Sequence, residues 1–259
     1  MEILGVRVDA INSTQACDKV VLAVAEKRQL IIFTPNPEMV VRAQRDAYFR
    51  AVINHGDINI CDGFGLQLVG GGALHRVSGV DFMEDLCLLA EKEGWRVYVL
   101  GAGDRVVVDT CIQELKKKYP NITICGGHPG PKLEERDVHG QLLVVPMDEE
   151  VQDTVIHEII MLEPEILFVG FGHGKQEKWI YEHIPSLLSV RAAVGVGGAI
   201  DYIAKKTVRP PQWIRVCGFE WLWRLMWQPS RIKRIWDATV VLMWYNIVHK
   251  IKTYVNTKR

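Results

Sequence analysis

The sequence predicts an α/β fold: a Rossmann-like, mostly parallel sheet flanked by helices, followed by a basic helical C-terminal appendage that associates with membranes. Three observations lead there. Short β-branched runs alternate with longer stretches of helical periodicity up to about residue 201. Those runs are apolar at successive positions, as expected of strands covered on both faces. Beyond residue 201 the alternation stops, and charge and aromatic content change abruptly.

In chain order, the first helical pattern covers 14–27 and leads to Leu30-Ile31-Ile32-Phe33, the apolar run of a strand over 30–34. A helical pattern over 37–55 precedes a short strand at 58–61, and another helix starts near Phe64. Helical periodicity over 79–93 is followed by Val97-Tyr98-Val99-Leu100 in a strand over 96–100. A helix over 105–119 and a strand over 122–125 come next. The stretch 126–144, rich in Gly, Pro and charge, reads as an irregular loop. A helix over 148–162, a strand over 166–170, a helix over 175–188 and a strand over 192–196 complete the alternation. There is no internal repeat and no low-complexity linker.

At 259 residues the chain is long enough for one large domain or a domain with an appendage. Hydrophobic residues at 48% and charged residues at 24% are globular values, which excludes wholesale disorder. Six cysteines (Cys17, Cys61, Cys87, Cys111, Cys125 and Cys217) are scattered without a CxxC pair and read as reduced thiols in a cytoplasmic protein. The opening residues Met1-Glu2-Ile3-Leu4 lack a basic region before a long apolar stretch, so no secretory signal is expected. No run approaches the ~20 apolar residues that span a bilayer.

The division into 1–201 and 202–259 rests on charge. The second segment holds twelve Lys/Arg against Glu220 and Asp237, a net +10; since the whole chain sums to zero, residues 1–201 carry −10. Six of eight tryptophans (Trp213, Trp221, Trp223, Trp227, Trp236, Trp244) also lie there. Cationic side chains interleaved with interfacial aromatics suit an anionic headgroup surface. Ile232, Ile235, Trp236, Val240, Met243, Trp244, Ile247 and Ile251 recur at helical spacing. That pattern fits a peripheral membrane helix or a helix docked on the core.

In open α/β sheets ligands bind beyond the carboxyl ends of the strands. Five of the six ends here are polar or glycine-rich: those at Thr34, Asp62, Gly101, Gly170 and Gly195, which predicts one shared cleft. Gly101-Ala102-Gly103 before a helix fits either a phosphate-binding turn or a plain tight turn, because Val106 leaves GxGxxG incomplete. Gly197-Gly198 offers the same pair of readings. Asp62 fits a general base in a cleft or the N-cap of the helix near Phe64. Gln176-Glu177 fits sugar-hydroxyl binding or capping. No Asp-x-Asp and no metal-ligand spacing occurs, so a bound diphosphate would need arginine counter-charge. Arg224, Arg231 and Arg234 share a helix face for that purpose, or form a lipid-facing patch.

Taken in order, Thr34-Pro35-Asn36, Asp62-Gly63, Arg76-Val77-Ser78-Gly79-Val80-Asp81, Gly101-Ala102, Lys175-Gln176-Glu177-Lys178-Trp179, Gly195 to Asp201, Gly218 to Arg224 and Pro229 to Arg234 resemble the WecG/TagA/CpsF glycosyltransferases. The resemblance runs from near residue 1 to about 235. It implies an inverting, metal-independent transferase without a cofactor. Such an enzyme moves a sugar from a UDP-sugar onto a polyprenyl-diphosphate-linked saccharide in cell-surface polysaccharide synthesis. It would sit peripherally on an anionic membrane at the cytoplasmic face of the bacterial cell membrane. By position Asp62 matches the catalytic base, and Thr34 and Gln176 match residues around the reacting sugars. Asn36, Arg76, Gly101, Ala102, Gly197, Gly198 and Asp201 match the substrate-binding motifs, and Arg224, Arg231 and Arg234 the arginines that close over the UDP diphosphate. At His173-Gly174 and at Gly127 to Pro131 the chain departs from the usual pattern. Donors of N-acetylmannosamine, hexose or uronic acid type therefore all stay open. Two other readings compete. A nucleotide-dependent oxidoreductase lacks its glycine fingerprint in the first turn. A non-catalytic membrane-associated nucleotide-binding adaptor leaves five decorated strand ends unexplained. Nucleic acid is not expected as a partner.

Overall fold

The computed structural model of the chain describes residues 1–218, 220–227 and 232–248. Its strands are β1 (Glu2–Ile3), β2 (Val6–Arg7), β3 (Leu30–Phe33), β4 (Ile58–Asn59), β5 (Arg96–Gly101), β6 (Thr123–His128), β7 (Leu133–Val138), β8 (Gln141–Pro146), β9 (Ile166–Gly170) and β10 (Ala192–Gly195). The helices before the sixth strand are α1 (Ser13–Ala25), α2 (Pro37–Ala43), α3 (Ala47–His55), α4 (Phe64–Val69), α5 (Gly79–Glu93) and α6 (Arg105–Lys118). Later come α7 (Glu149–Leu162), α8 (Lys175–His183), α9 (Ala199–Ile203), α10 (Gln212–Val216), α11 (Glu220–Trp227) and α12 (Ile232–Trp236).

All six expected strands meet in one parallel sheet, ordered β4-β3-β10-β9-β5-β6. Their double-sided hydrophobicity follows from where they lie. Leu30, Ile32, Val97, Val99, Ile166 and Phe168 face a core built with α1, α5, α6 and α9. Their alternate neighbours Ile31, Phe33, Tyr98, Leu100, Leu167 and Val169 face a second core with α2, α3, α7 and α8. Period-two alternation thus feeds both layers, and each fully buried aliphatic side chain contributes ~1.5–3 kcal/mol of transfer free energy.

Three expectations need correction. The pattern over 37–55 is two helices, because Asp46 turns its carboxylate to accept from the Phe49 amide (2.9 Å) and caps α3. The stretch 126–144 is not an irregular loop: β6 runs on to His128, and β7 and β8 form an antiparallel hairpin with Val138 opposite Gln141. His139 (φ 54°) and Gly140 (φ 83°) supply the two positive-φ positions that such a two-residue turn requires. The helix expected over 175–188 ends at His183, and a 3₁₀ turn follows at Ile184–Ser186.

Helix α9 spans the expected division at residues 201 and 202. After it, Arg209 donates to Asp81, and Arg215 lies 3.6 Å from the same carboxylate. Burial opposes ionisation of Asp81, yet the Arg209 and Ser78 hydrogen bonds hold its pKa below the usual value. A π-helical turn at Asp237–Val241 extends α12, and helical backbone continues to 248. Leu242 is buried in the second core, whereas Ile232, Trp236, Val240, Met243, Trp244 and Ile247 are exposed. No helix of the described residues is long and apolar enough to cross a membrane.

Candidate active site

A cavity of about 610 Å³ opens at the carboxyl edge of the sheet. The five strand ends singled out in the sequence all reach it. Thr34 and Asn36 come from β3, Asp62 from β4, Ala102 and Gly103 from β5, Gly170 to His173 from β9, and Val196 to Gly198 from β10. The base of the missed hairpin closes one side through Lys132 and Leu133, with Met147 beyond β8. Among the described residues no group of three or more His, Cys, Asp or Glu is arranged to hold a metal ion.

Asp62 does not cap α4. The N-cap is Gly63, at φ 102° and without a side-chain hydrogen bond. A Cβ on Gly63 would sit 3.1 Å from Pro37 Cδ, so the glycine is what lets the chain turn tightly after the carboxylate. The Asp62 amide donates to the Pro35 carbonyl (2.9 Å), which ties the Asp62 loop to the Thr34-Pro35-Asn36 turn. Burial, and then the Asp62 carboxylate, push the neighbouring Cys61 thiol up to about 12, so it stays protonated and inert.

Thr34 is buried, and its hydroxyl donates to the Gly195 carbonyl (3.2 Å). Asn36 caps α2 by accepting from the Met39 amide (3.1 Å) and still lines the cavity. Gln176 is not a cap. Its Oε1 accepts from the Gly197 amide (3.0 Å) and its Nε2 donates to Glu177 Oε1 (2.8 Å), which locks the amide plane at the cavity wall. Glu177 does the capping: its Oε2 accepts from the Gly174 amide (2.5 Å). Complete burial pushes the Glu177 carboxyl up to about 7, against the lowering effect of the Gln176 and Gly174 hydrogen bonds.

The glycine-rich turn after β5 serves packing. Gly101 has φ 126°, and a Cβ there would lie 2.6 Å from the Gly170 carbonyl carbon, so glycine permits the close register of β5 and β9. Gly101 itself does not line the cavity; Ala102 and Gly103 do. The helix that follows has its own anion, since Asp104 Oδ1 accepts from the Val106 amide (2.9 Å). Gly197, Gly198 and Asp201 all line the cavity, and Asp201 lies 3.5 Å from Lys206 Nζ. Arg76 points elsewhere, donating to the Arg215 carbonyl, and is not among the lining residues. Arg231 lies outside the described residues, as do the side chains of Arg224 and Arg234.

Several lining groups carry no role in the sequence reading. Lys132 and Lys175 bring positive charge, and Lys175 Nζ donates to the Leu133 carbonyl (2.6 Å) at the hairpin base. Glu38 and His173 face each other at 3.7 Å across the cavity wall. The hairpin is pinned from below by Lys178, fully buried, which donates to Asp46 (2.7 Å) and to the Leu142 carbonyl, with Glu135 at 3.4 Å. These partners are 36 to 132 residues apart in sequence, so no local signal reveals them. The cavity therefore joins a strand-end carboxylate, buried polar groups held in fixed orientation and two lysines. It has the parts for deprotonating a hydroxyl beside an anionic leaving group.

Comparison with known proteins gives the same direction. The profile of the glycosyl transferase WecG/TagA/CpsF family matches residues 1–256. Among curated relatives, an N-acetylglucosaminyldiphosphoundecaprenol N-acetyl-beta-D-mannosaminyltransferase of Staphylococcus aureus (strain MW2) is 29% identical over 241 residues, covering 91% of this chain and 87% of its own. The protein of the same description from strain NCTC 8325 / PS 47 shows the same identity and coverage.

Proposed function

From the premise that this chain belongs to the WecG/TagA/CpsF glycosyltransferase family, we propose that it moves a sugar from a UDP-sugar to a polyprenyl-diphosphate-linked saccharide. The reaction is an inverting displacement, needs no metal ion and builds a bacterial cell-surface polysaccharide. The observation that carries this reading is the meeting of Asp62, Thr34, Asn36 and Gln176 in one cavity. Asp62 takes the proton of the acceptor hydroxyl as that oxygen bonds to the anomeric carbon. The bond from that carbon to the UDP oxygen breaks on the opposite face, and its electron pair leaves with UDP. Charge that develops on the departing phosphate calls for cations. Lys132 and Lys175 line the cavity, and Arg224, Arg231 and Arg234 of the basic segment complete the set. Thr34 and Gln176 hold sugar hydroxyls, a task suited to groups whose own orientation is fixed.

Residues 202–259 act as an appendage that brings the site to the cytoplasmic face of the membrane. Their +10 charge and exposed Trp236 and Trp244 support interfacial binding. The relatives' names point to N-acetylmannosamine as the donor sugar; hexose and uronic acid donors are the alternatives. The test offers a panel of UDP-sugars with N-acetylglucosaminyl-diphosphoundecaprenol in detergent and reads the glycolipid product by mass spectrometry. One donor should extend the acceptor by one sugar at a rate unchanged by EDTA. Absence of any extended product, or its loss with EDTA, would contradict the proposal.

A further inference from the structure

A second groove, of about 640 Å³, lies between the Asp62 loop with α4 and the helical stretch that contains residues 235–247. It joins the cavity: Asn36, Glu38, Asp62 and Glu220 line both. Asp62 therefore lines both the cavity and the groove. A two-substrate displacement needs room for both a donor and an acceptor beside the base, and two joined openings supply it.

The groove is graded in polarity. Near Asp62 it presents Asn36, Glu38, Glu220 and the cationic Arg76. Away from that end, apart from Thr239, its walls are apolar, with Phe64 and Leu68 on one side and Ile235, Met243, Trp244 and Ile247 on the other. Leu68 (59%), Met243 (46%), Trp244 (64%) and Ile247 (50%) keep much of their surface open to solvent. Continuous apolar surface left open beside a polar reaction centre marks a place for an apolar ligand.

We propose that this groove seats the first isoprene units of the lipid-linked acceptor. The proposal rests on the transferase reading above and adds where the lipid lies. A sugar–diphosphate–isoprenoid amphiphile has the same order of chemistry as the groove. Its hydroxyl reaches Asp62, its diphosphate passes the Arg76 end, and its chain lies along Leu68, Met243, Trp244 and Ile247. The chain leaves the groove beside the exposed tryptophan and methionine of the helical stretch, where a membrane would receive the rest. The acceptor's lipid is thus part of what the enzyme recognises, and a water-soluble analogue of the same sugar forfeits that contact.

The test uses the full chain and the double variant Leu68→Gln/Met243→Gln, whose sites are exposed; circular dichroism and thermal melting check that the fold is kept. Binding of geranylgeranyl diphosphate, a prenyl diphosphate without sugar, is followed by tryptophan fluorescence below the critical micelle concentration of the detergent. The variant should bind this probe about tenfold more weakly, the loss of roughly two buried methylenes' worth of contact, while binding UDP as wild type does. In transfer assays its KM should rise about tenfold for the undecaprenyl acceptor and stay level for a short-chain acceptor. Equal binding of the probe by wild type and variant would overturn the proposal. So would a variant that loses only its attachment to phosphatidylglycerol vesicles, since the groove face would then be a membrane contact. Probe binding that depends on the groove, with no sugar transferred from any donor, would keep the isoprenoid seat and remove the transferase reading.

Discussion

Glu177 makes the stability of this protein fall with rising pH. Its carboxyl is fully buried beneath the cavity floor and pushed up to about 7, from an ordinary value of 4.5. Between those values the folded chain holds a proton that the unfolded chain has released, so the stability it contributes at low pH is lost as pH rises through about 7. From 4.5 to about 7, at ~1.4 kcal/mol per pH unit, the full loss is about 3.5 kcal/mol, of which about 2.5 kcal/mol falls between pH 5 and pH 8. Glu177→Gln removes the titration. It also leaves one of two donors, the Gly174 amide or Gln176 Nε2, without an acceptor, at a pH-independent cost of ~1–3 kcal/mol. Urea unfolding at pH 5, 6, 7 and 8 separates the two effects. Wild type should lose about 2.5 kcal/mol across the series relative to Glu177→Gln. Parallel pH dependences in the two proteins would refute the reasoning. Since Glu177 also fixes the Gln176 amide, the variant's transfer rate should drop by about tenfold even where it is fully folded.

Three further outcomes follow from the same geometry. Lys178→Met leaves the buried Asp46 carboxylate without its 2.7 Å partner and should destabilise the fold by ~3–5 kcal/mol in urea unfolding, with part of the loss recovered when Asp46→Asn is added. Gly101→Ala places a methyl 2.6 Å from the Gly170 carbonyl carbon at φ 126°, so it should lower stability by at least ~3 kcal/mol, read as a fall in melting temperature. Deleting residues 203–259 should abolish transfer while circular dichroism shows a folded core; retained full activity would remove the appendage from the account.

How much of this was legible in the sequence depends on where each signal lies. The six sheet strands were readable because Leu30 to Phe33 and their counterparts are apolar on both faces, a pattern that burial between two helical layers demands. The cleft was readable because strand ends carried Thr34, Asp62, Gly170 and Gly197 where a strand would otherwise stay apolar. The hairpin was hidden because β7 reads Leu-Glu-Glu-Arg-Asp-Val, mostly charged and outside the main sheet; only His139-Gly140 marked its turn. The break between α2 and α3 was hidden too. Asp46 sits within unbroken helical periodicity, and what favours the break includes Lys178, 132 residues away. The two readings of Gly101 separated only when Gly170 was found against it. Arg76 looked like a cavity residue in its motif, yet the fold turns it to the neighbouring groove.

The central claim is that Asp62 is the base for sugar transfer to a lipid-linked acceptor. The direct measurement compares wild type with Asp62→Asn in acceptor-dependent UDP release, using UDP-N-acetylmannosamine and N-acetylglucosaminyl-diphosphoundecaprenol, with UDP binding measured alongside. General-base contributions of ~10²–10⁴ set the scale. Release in the variant should fall by at least about a hundredfold while UDP binds as in wild type. A variant that releases UDP at the wild-type rate would show that Asp62 is not the base.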